Sequence, residues 1–311
     1  MMDHNETSEG LGKKPARFKR KSKRKPSNIF INIFLFLIAL VCILPLLSII
    51  SISFSNNADL TQFGFSIIPR HLDLTAYRYI FNDPTLIISG YEVSILVTAL
   101  GTFVSLFVTT AIAYVLSRHD YKFHGVISFF VFFTLIFNGG LVPWYMLINN
   151  YLHLGNTIWA LILPYAANAW FILLLRTFFQ KLPFEIIESC YMDGAGDFRI
   201  FFQIVLPLSL PGIATIGLLI MLTYWNDWWL ALLFIEKTSL FPLQKTLYSM
   251  LSNIQFLTSS TAIPSFLKVT NLPTENARMA MALLAAGPML FVFPFFQKYF
   301  VRGLTVGAVK G

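Results

Sequence analysis

Apolar residues gather into long blocks separated by short polar stretches. Runs able to cross about 30 Å of hydrocarbon at about 1.5 Å per residue occupy residues 29 to 52, 91 to 117, 125 to 148, 157 to 178, 207 to 231 and 279 to 301. The pattern predicts an all-helical polytopic membrane protein with six transmembrane helices. A basic arm (1–28) precedes the membrane domain (29–301), and a short tail (302–311) follows it. Composition points the same way: 56% of the 311 residues are hydrophobic and 12% charged, which excludes an ordinary soluble domain. The first run is too long for the apolar region of a signal peptide and no A-x-A site follows Ser53, so it is expected to remain as the first helix.

Charge sets the expected orientation. Residues 1 to 28, the 118 to 124 loop, the 176 to 204 region and the C-terminal end from Lys298 onward together carry seventeen Lys and Arg, against six in the two long loops on the other side. By the positive-inside rule both termini are expected in the cytoplasm. The net charge of +8 raises the question of nucleic acid. Nine basic residues lie in Lys13 to Lys25, directly before a membrane helix, and anionic headgroups explain that arm more simply; no nucleic-acid partner is expected. Cys42 and Cys190 fall in different layers under this topology and suggest no disulfide.

Enzymatic chemistry finds little support. His4, His71, His119, His124 and His153 are scattered, and the five-residue step from His119 to His124 does not give the i, i+4 spacing of helical metal ligands; no metal site is expected. There is no G-x-x-x-x-G-K-[ST], and the glycine-spaced tail lacks the lysine and the following helix of a phosphate loop. A membrane enzyme or scaffold built on Asp227 would need further carboxylates or histidines at membrane depth, and none stands out.

The most informative segment is the polar turn between the fourth and fifth runs, about 180 to 206. Pro183 suits the first position of a helix, Glu185 its positive first turn, and Ile186, Ile187, Cys190 and Tyr191 form an apolar stripe. This predicts a short helix over about 184 to 192. Asp193-Gly194-Ala195-Gly196 is a stop in which Gly194 or Gly196 takes the left-handed conformation. Asp197 can cap a second short helix with Phe198, Phe201, Phe202 and Val205 facing one way. Pro207 and Pro211 then open the fifth membrane helix. Such a hairpin could pack only on its own chain, or present itself to a partner.

Spacing favours the partner. Glu188-Ser189-Cys190, Gly194 and, after nine intervening residues, Ile204-Val205-Leu206-Pro207 match E-[AS]-[AC]-x-x-x-G-x9-I-x-L-P, which resembles the coupling loop of binding-protein-dependent ABC importer permeases. The small Ser189 and Cys190 stand where two alanines are usual. The resemblance runs from about residue 30 onward and is to the carbohydrate type, similar to the maltose permease G subunit. It includes Ala113-Tyr114-Val115-Leu116-Ser117-Arg118, Arg176-Thr177-Phe178-Phe179, Trp225-Asn226-Asp227 and the stretch from Phe300 to Gly311. Phe137-Asn138-Gly139-Gly140-Leu141-Val142-Pro143-Trp144-Tyr145 looks like the subgroup associated with oligosaccharides from complex polysaccharides.

The resemblance implies a type I importer permease fold with a second permease subunit, two cytoplasmic ATPase subunits holding ATP and Mg²⁺, and an extracellular solute-binding protein delivering a sugar or oligosaccharide. This chain would bind no cofactor. A non-sugar cargo (peptide, amino acid or polyamine) on the same fold is the alternative. Carried over onto this chain, Glu188, Asp193, Gly194, Ala195 and Phe198 would form the ATPase contact: Glu188 holds the loop by hydrogen bonds, Gly194 bends it and Phe198 fills the ATPase cleft. The tail, with Gly303, Thr305 and Gly307, would reach the ATPase interface, unless it is merely a frayed terminus.

For the pathway, Trp225, Asn226 and Asp227 among the indoles of Trp228 and Trp229 offer polar groups beside an aromatic platform, or else an interfacial aromatic belt. Asn138, with Gly139, Gly140 and Pro143, marks either a kink shaping the pathway or close helix packing. The loops at about 53 to 90 and 232 to 278 are expected outside, where a binding protein would dock.

Overall fold

The computed structural model describes residues 26–118, 120–259 and 274–308, with side chains at 30–118, 120–258 and 274–297. The basic arm up to residue 25 and His119 lie outside the described residues. The described chain divides between Leu46 and Leu47 into two units, one formed by the larger part of the first helix.

The helices are α1 (Pro26–Ser53), α2 (Asn57–Phe63), α3 (Thr75–Ile80), α4 (Pro84–Ser117), α5 (His124–Ile136) and α6 (Leu141–Met146), prolonged by a π turn to Tyr151. There follow α7 (Trp159–Ile162), α8 (Ala169–Phe179), α9 (Phe184–Met192) and α10 (Asp197–Ile200), which runs through a π turn into α11 (Leu206–Leu208). The last are α12 (Leu210–Trp225), α13 (Trp229–Phe234), α14 (Leu243–Ser259) and α15 (Glu275–Ala308).

Three helices are long and apolar enough to cross a membrane unbroken: Phe30–Ser53, Pro84–Ser117 and Glu275–Gln297. Three bent pairs raise the number to six when each is one span. The six apolar blocks are therefore recovered, but half of them are not the straight helices expected. Residues 125 to 148 break at Phe137–Gly140 and turn by 116°, because Gly140 takes φ +91° and the Asn138 side chain accepts from Gly140 N at 2.9 Å, closing a local turn in place of a helical bond. Residues 157 to 178 bend by 51° before Asn168, which caps α8 by accepting from Trp170 N at 2.9 Å. The fifth block, expected to run to 231, stops at Trp225, where Asn226 folds back onto Leu222 O at 2.9 Å. α4 begins at Pro84 rather than 91, because Asp83 caps it through Thr85 N at 3.1 Å and proline suits the first turn.

α4 is the spine of the larger unit and packs on α12, α8 and α14. In lipid there is no hydrophobic gain in bringing apolar helices together, so close backbone approach supplies the packing. Two glycines provide it. A Cβ on Gly101 would stand 2.8 Å from the Tyr224 ring, and one on Gly212 2.7 Å from the Phe178 ring. The buried Tyr224 hydroxyl donates to Ile162 O at 2.8 Å and lies 2.7 Å from Ser105 Oγ, tying α12 to α4 and α7 at one point. A second cluster joins α3, the start of α4, α14 and α15 around Ile87, Trp225, Leu243 and Ala280.

Candidate functional site

The helix, bend and helix between the fourth and fifth blocks form as the residues predict. α9 spans Phe184–Met192 with Pro183 as its N-cap residue, one place before the position expected, and Glu185 in its first turn. Its end is a Schellman motif: Ala195 N donates to Cys190 O and Gly194 N to Tyr191 O, each at 2.9 Å. The residue between, Gly194, takes φ +77°, a conformation that costs any residue with a Cβ. Gly196 does not take it; it caps α10 with extended backbone, so Asp197 is the first residue of that helix rather than its cap.

The hairpin has an inner and an outer face. Ile187, Ile200, Phe201 and Val205 are buried in the main core, with Cys190 and Ala195 packed against it, and Phe201 meets the Tyr114 ring of α4 at 5.0 Å. The four residues expected on one face are split: Phe201 and Val205 point inward, whereas Phe198 is 83% exposed and Phe202 is also exposed. The π turn over Phe201–Val205 adds a residue to the helical period and rotates the stripe. Met192, at 86% exposure, and Phe198 flank the Gly194 bend, one in α9 before it and one in α10 after it. Glu188 and Asp193 are exposed and Ala195 is half-buried. Among the described residues the Glu188 side chain makes no hydrogen bond, so its carboxylate does not hold the loop to this chain.

Arg118 does hold it. This residue, just past the end of α4, is 8% exposed; its Nε and Nη2 donate to the Asp120 carboxylate at 3.2 and 3.1 Å. Nη2 also donates to the Tyr191 hydroxyl at 3.3 Å, and the guanidinium lies over the Phe184 and Tyr191 rings at 5.4 Å from each centroid. Tyr191 in turn donates to Asp197. Burial and that bond push the Tyr191 phenol up to about 12, so it remains a donor at neutral pH. Cavities of about 420 and 330 Å³ flank Arg118. The polar clamp therefore lies beside open clefts and adds to the apolar attachment made by Ile187, Ile200, Phe201 and Val205. Arg118 and Tyr191 were visible in the sequence only as the end of a matching stretch and as part of an apolar stripe. Their partnership depends on a helix end brought back from 73 residues away.

The proposed pathway residues separate into different settings. Trp225 is buried, its indole donating to Ala285 O of α15 at 2.8 Å. Asn226 is exposed and caps its own helix. Asp227 accepts from the Tyr165 hydroxyl at 2.9 Å and from Leu230 N at 3.1 Å, joining the α12–α13 break to the α7–α8 bend. Trp228 stacks on Tyr248 at 4.4 Å. Asn138 is exposed and its hydrogen bond stays within the α5–α6 turn. Gly303, Thr305 and Gly307 continue α15, which runs to Ala308; their side chains lie outside the described residues.

A bundle of straight and broken apolar helices with a projecting, internally clamped helical hairpin is the architecture of a multi-pass membrane transport subunit. The chain belongs to the family of binding-protein-dependent transport system inner membrane components, whose model matches residues 93–306. It is 39% identical over 292 residues to the polygalacturonan/rhamnogalacturonan transport system permease protein YtcP of Bacillus subtilis (strain 168), covering 93% of this chain and 100% of that protein. It is 29% identical over 282 residues to the trehalose/maltose transport system permease protein MalG of Thermococcus litoralis, covering 88% and 94%. Among solved structures it resembles a chain of a bacterial ABC transporter involved in the import of the acidic polysaccharide alginate, with a TM-score of 0.70, 27% identity and coverage of 88% and 96%.

Proposed function

We propose that this chain is the permease subunit of a sugar importer, forming half of a pathway for oligosaccharides released from complex polysaccharides. It would work with a second permease subunit, two ATPase subunits that hold ATP and Mg²⁺, and a solute-binding protein. The observation that carries the coupling role is that Met192 and Phe198, on either side of the Gly194 bend, are both left exposed on a hairpin fixed in the core by Ile187, Ile200, Phe201 and Val205. A rigid apolar knob with an acidic rim suits a cleft on a separate protein. Motion of that cleft on ATP binding would reach α4 and α12 through the clamp, shifting the bundle between two access states.

The basic loop balance supports a cytoplasmic setting for both termini and the hairpin, with the loops at about 53–90 and 232–278 on the opposite side, where the binding protein would dock. The tail around Gly303, Thr305 and Gly307 would meet the ATPase. Trp225, Asn226, Asp227 and Asn138 remain pathway candidates, with Asn226 and Asn138 offering exposed polar groups. The cargo class rests on relatives named for carbohydrate transport, which favours a sugar over a peptide, amino acid or polyamine.

The test is ATPase stimulation in the transporter reconstituted with its binding protein. Met192→Ala with Phe198→Ala should abolish stimulation and weaken ATPase retention on purification; normal stimulation would sink the coupling role. Oligogalacturonides should stimulate through the binding protein where amino acids do not, and the reverse would move the cargo out of the sugar class.

A further inference from the structure

The connection between α2 and α3 carries apolar side chains that its own chain leaves uncovered. Phe65, Ile67, Ile68 and Leu72 are exposed, Ile68 at 77% and Leu72 at 80%. Contiguous exposure of this kind on a loop marks a surface with a partner, and the hydrogen bonds say at what depth that partner lies. Ser51, in the last turn of α1, donates to Ser66 O at 2.7 Å. Asp73 N donates to Phe54 O at 2.8 Å, and Ser55 and Leu72 form an antiparallel bridge. The Phe54 and Tyr77 rings stack at 5.0 Å. The loop thus leaves and rejoins the chain at the end of the apolar span Phe30–Ser53, and its tip is held level with that span's last turn, where hydrocarbon gives way to headgroups.

Two further features suit that layer. Backbone carbonyls at the tip are supplied with donors from within: Ser51 serves Ser66 O, and Ser66 Oγ donates to Ile68 O at 2.8 Å. This lowers the cost of taking that part of the loop out of water. The polar groups stand at its edge. The Arg70 guanidinium lies 4.2 Å from the Phe63 ring centroid, and His71 pairs with Asp59 at 2.8 Å. Gly64, at φ +77° with open space where a Cβ would sit, turns the chain out of α2. Apolar and aromatic side chains beside a cationic group are the composition of an interfacial segment.

We propose that residues 64–72 form an interfacial anchor seated in the leaflet where α1 ends, with Phe65, Ile67 and Ile68 among the upper acyl chains and Arg70 at the phospholipid phosphates. The anchor fixes the height of α2 and α3, and through Asn276 Nδ2 donating to Ser55 O at 3.2 Å the start of α15, relative to the membrane. It is independent of what the transporter carries.

An environment-sensitive fluorophore on Ile68→Cys, with Gln62→Cys on the exposed face of α2 as reference, tests it. Both are made in a Cys42→Ser, Cys190→Ser chain within the assembled transporter, in vesicles of phosphatidylethanolamine and phosphatidylglycerol. The label at 68 should emit to the blue of that at 62, resist aqueous iodide and be quenched by lipids carrying a nitroxide near the headgroup. Iodide quenching at 68 equal to that at 62 overturns the proposal. So does a blue shift that lipid nitroxide leaves untouched, since protein, namely the second permease or the binding protein, would then cover the loop. Labels at Phe65→Cys and Ile67→Cys repeat the reading should the variant at 68 fail to assemble.

Discussion

Arg118 grips Tyr191: one guanidinium nitrogen donates to its hydroxyl at 3.3 Å while the cation lies 5.4 Å from the centre of its ring. The contact joins the end of α4 to the last turn of α9, and a charge-assisted bond of this sort is worth about 1.5–3 kcal/mol. Arg118→Ala should therefore loosen the hairpin and lower binding-protein-stimulated ATP hydrolysis more than the basal rate. Arg118→Lys should recover little, because a single ammonium cannot fork to Asp120 and Tyr191 together and stacks poorly. The comparison of stimulated and basal rates in the reconstituted transporter checks this; full activity of the lysine variant would show that only the charge matters.

Gly194 makes a sharper prediction because its strain is purely conformational. Open space surrounds the position of a Cβ there, yet φ is +77°, a region costing an L residue about 1–2 kcal/mol. Gly194→Val should weaken the bend and uncouple ATP hydrolysis from substrate without removing the chain from the membrane. Gly194→Asn, whose short amide tolerates the left-handed region, should retain much of the function. Equal loss in both variants would mean that contact at the glycine surface, and not the backbone, is what counts.

The extent to which this molecule can be read from its sequence follows the range of the interactions involved. Six apolar blocks, α9 and the Gly194 stop were legible because each rests on neighbours in the chain: apolar run length, proline and acidic residue at a helix start, glycine after its end. The break at Asn138–Gly140 was visible as a weak point, but its 116° turn depends on the Asx bond to Gly140. The π turn at Phe201–Val205 left no sequence signal and divided an aromatic stripe between core and surface. Most distant from the sequence were the pairings of Arg118 with Tyr191 and Asp227 with Tyr165, separated by 73 and 62 residues.

Packing at the α4–α12 contact should be intolerant of one methyl group. A Cβ at Gly101 would meet the Tyr224 ring at 2.8 Å, and that ring cannot retreat while its hydroxyl is bound to Ile162 O and Ser105. Gly101→Ala should cost about 1–3 kcal/mol as an overpacked site, read as a lower melting temperature of the assembled transporter. Tyr224→Leu added to Gly101→Ala should recover part of the loss by making room, whereas a simple sum of two losses would place the strain elsewhere.

Asp227 has both carboxylate oxygens engaged, one by Tyr165 and one by Leu230 N, so its first effect is on architecture: it pins the end of α12 to the α7–α8 bend. Asp227→Ala and Tyr165→Phe should each lower stability, and the double variant should lose less than their sum. A coupling of about 0.5–3 kcal/mol is the range for groups in contact. A second comparison separates this clasp from a role in the pathway. If sugar passes Asp227, Asp227→Ala should raise the substrate concentration needed for half-maximal uptake while Tyr165→Phe, at matched stability, leaves it unchanged. Parallel loss of uptake in the two variants, proportional to their loss of stability, would assign Asp227 to the scaffold alone.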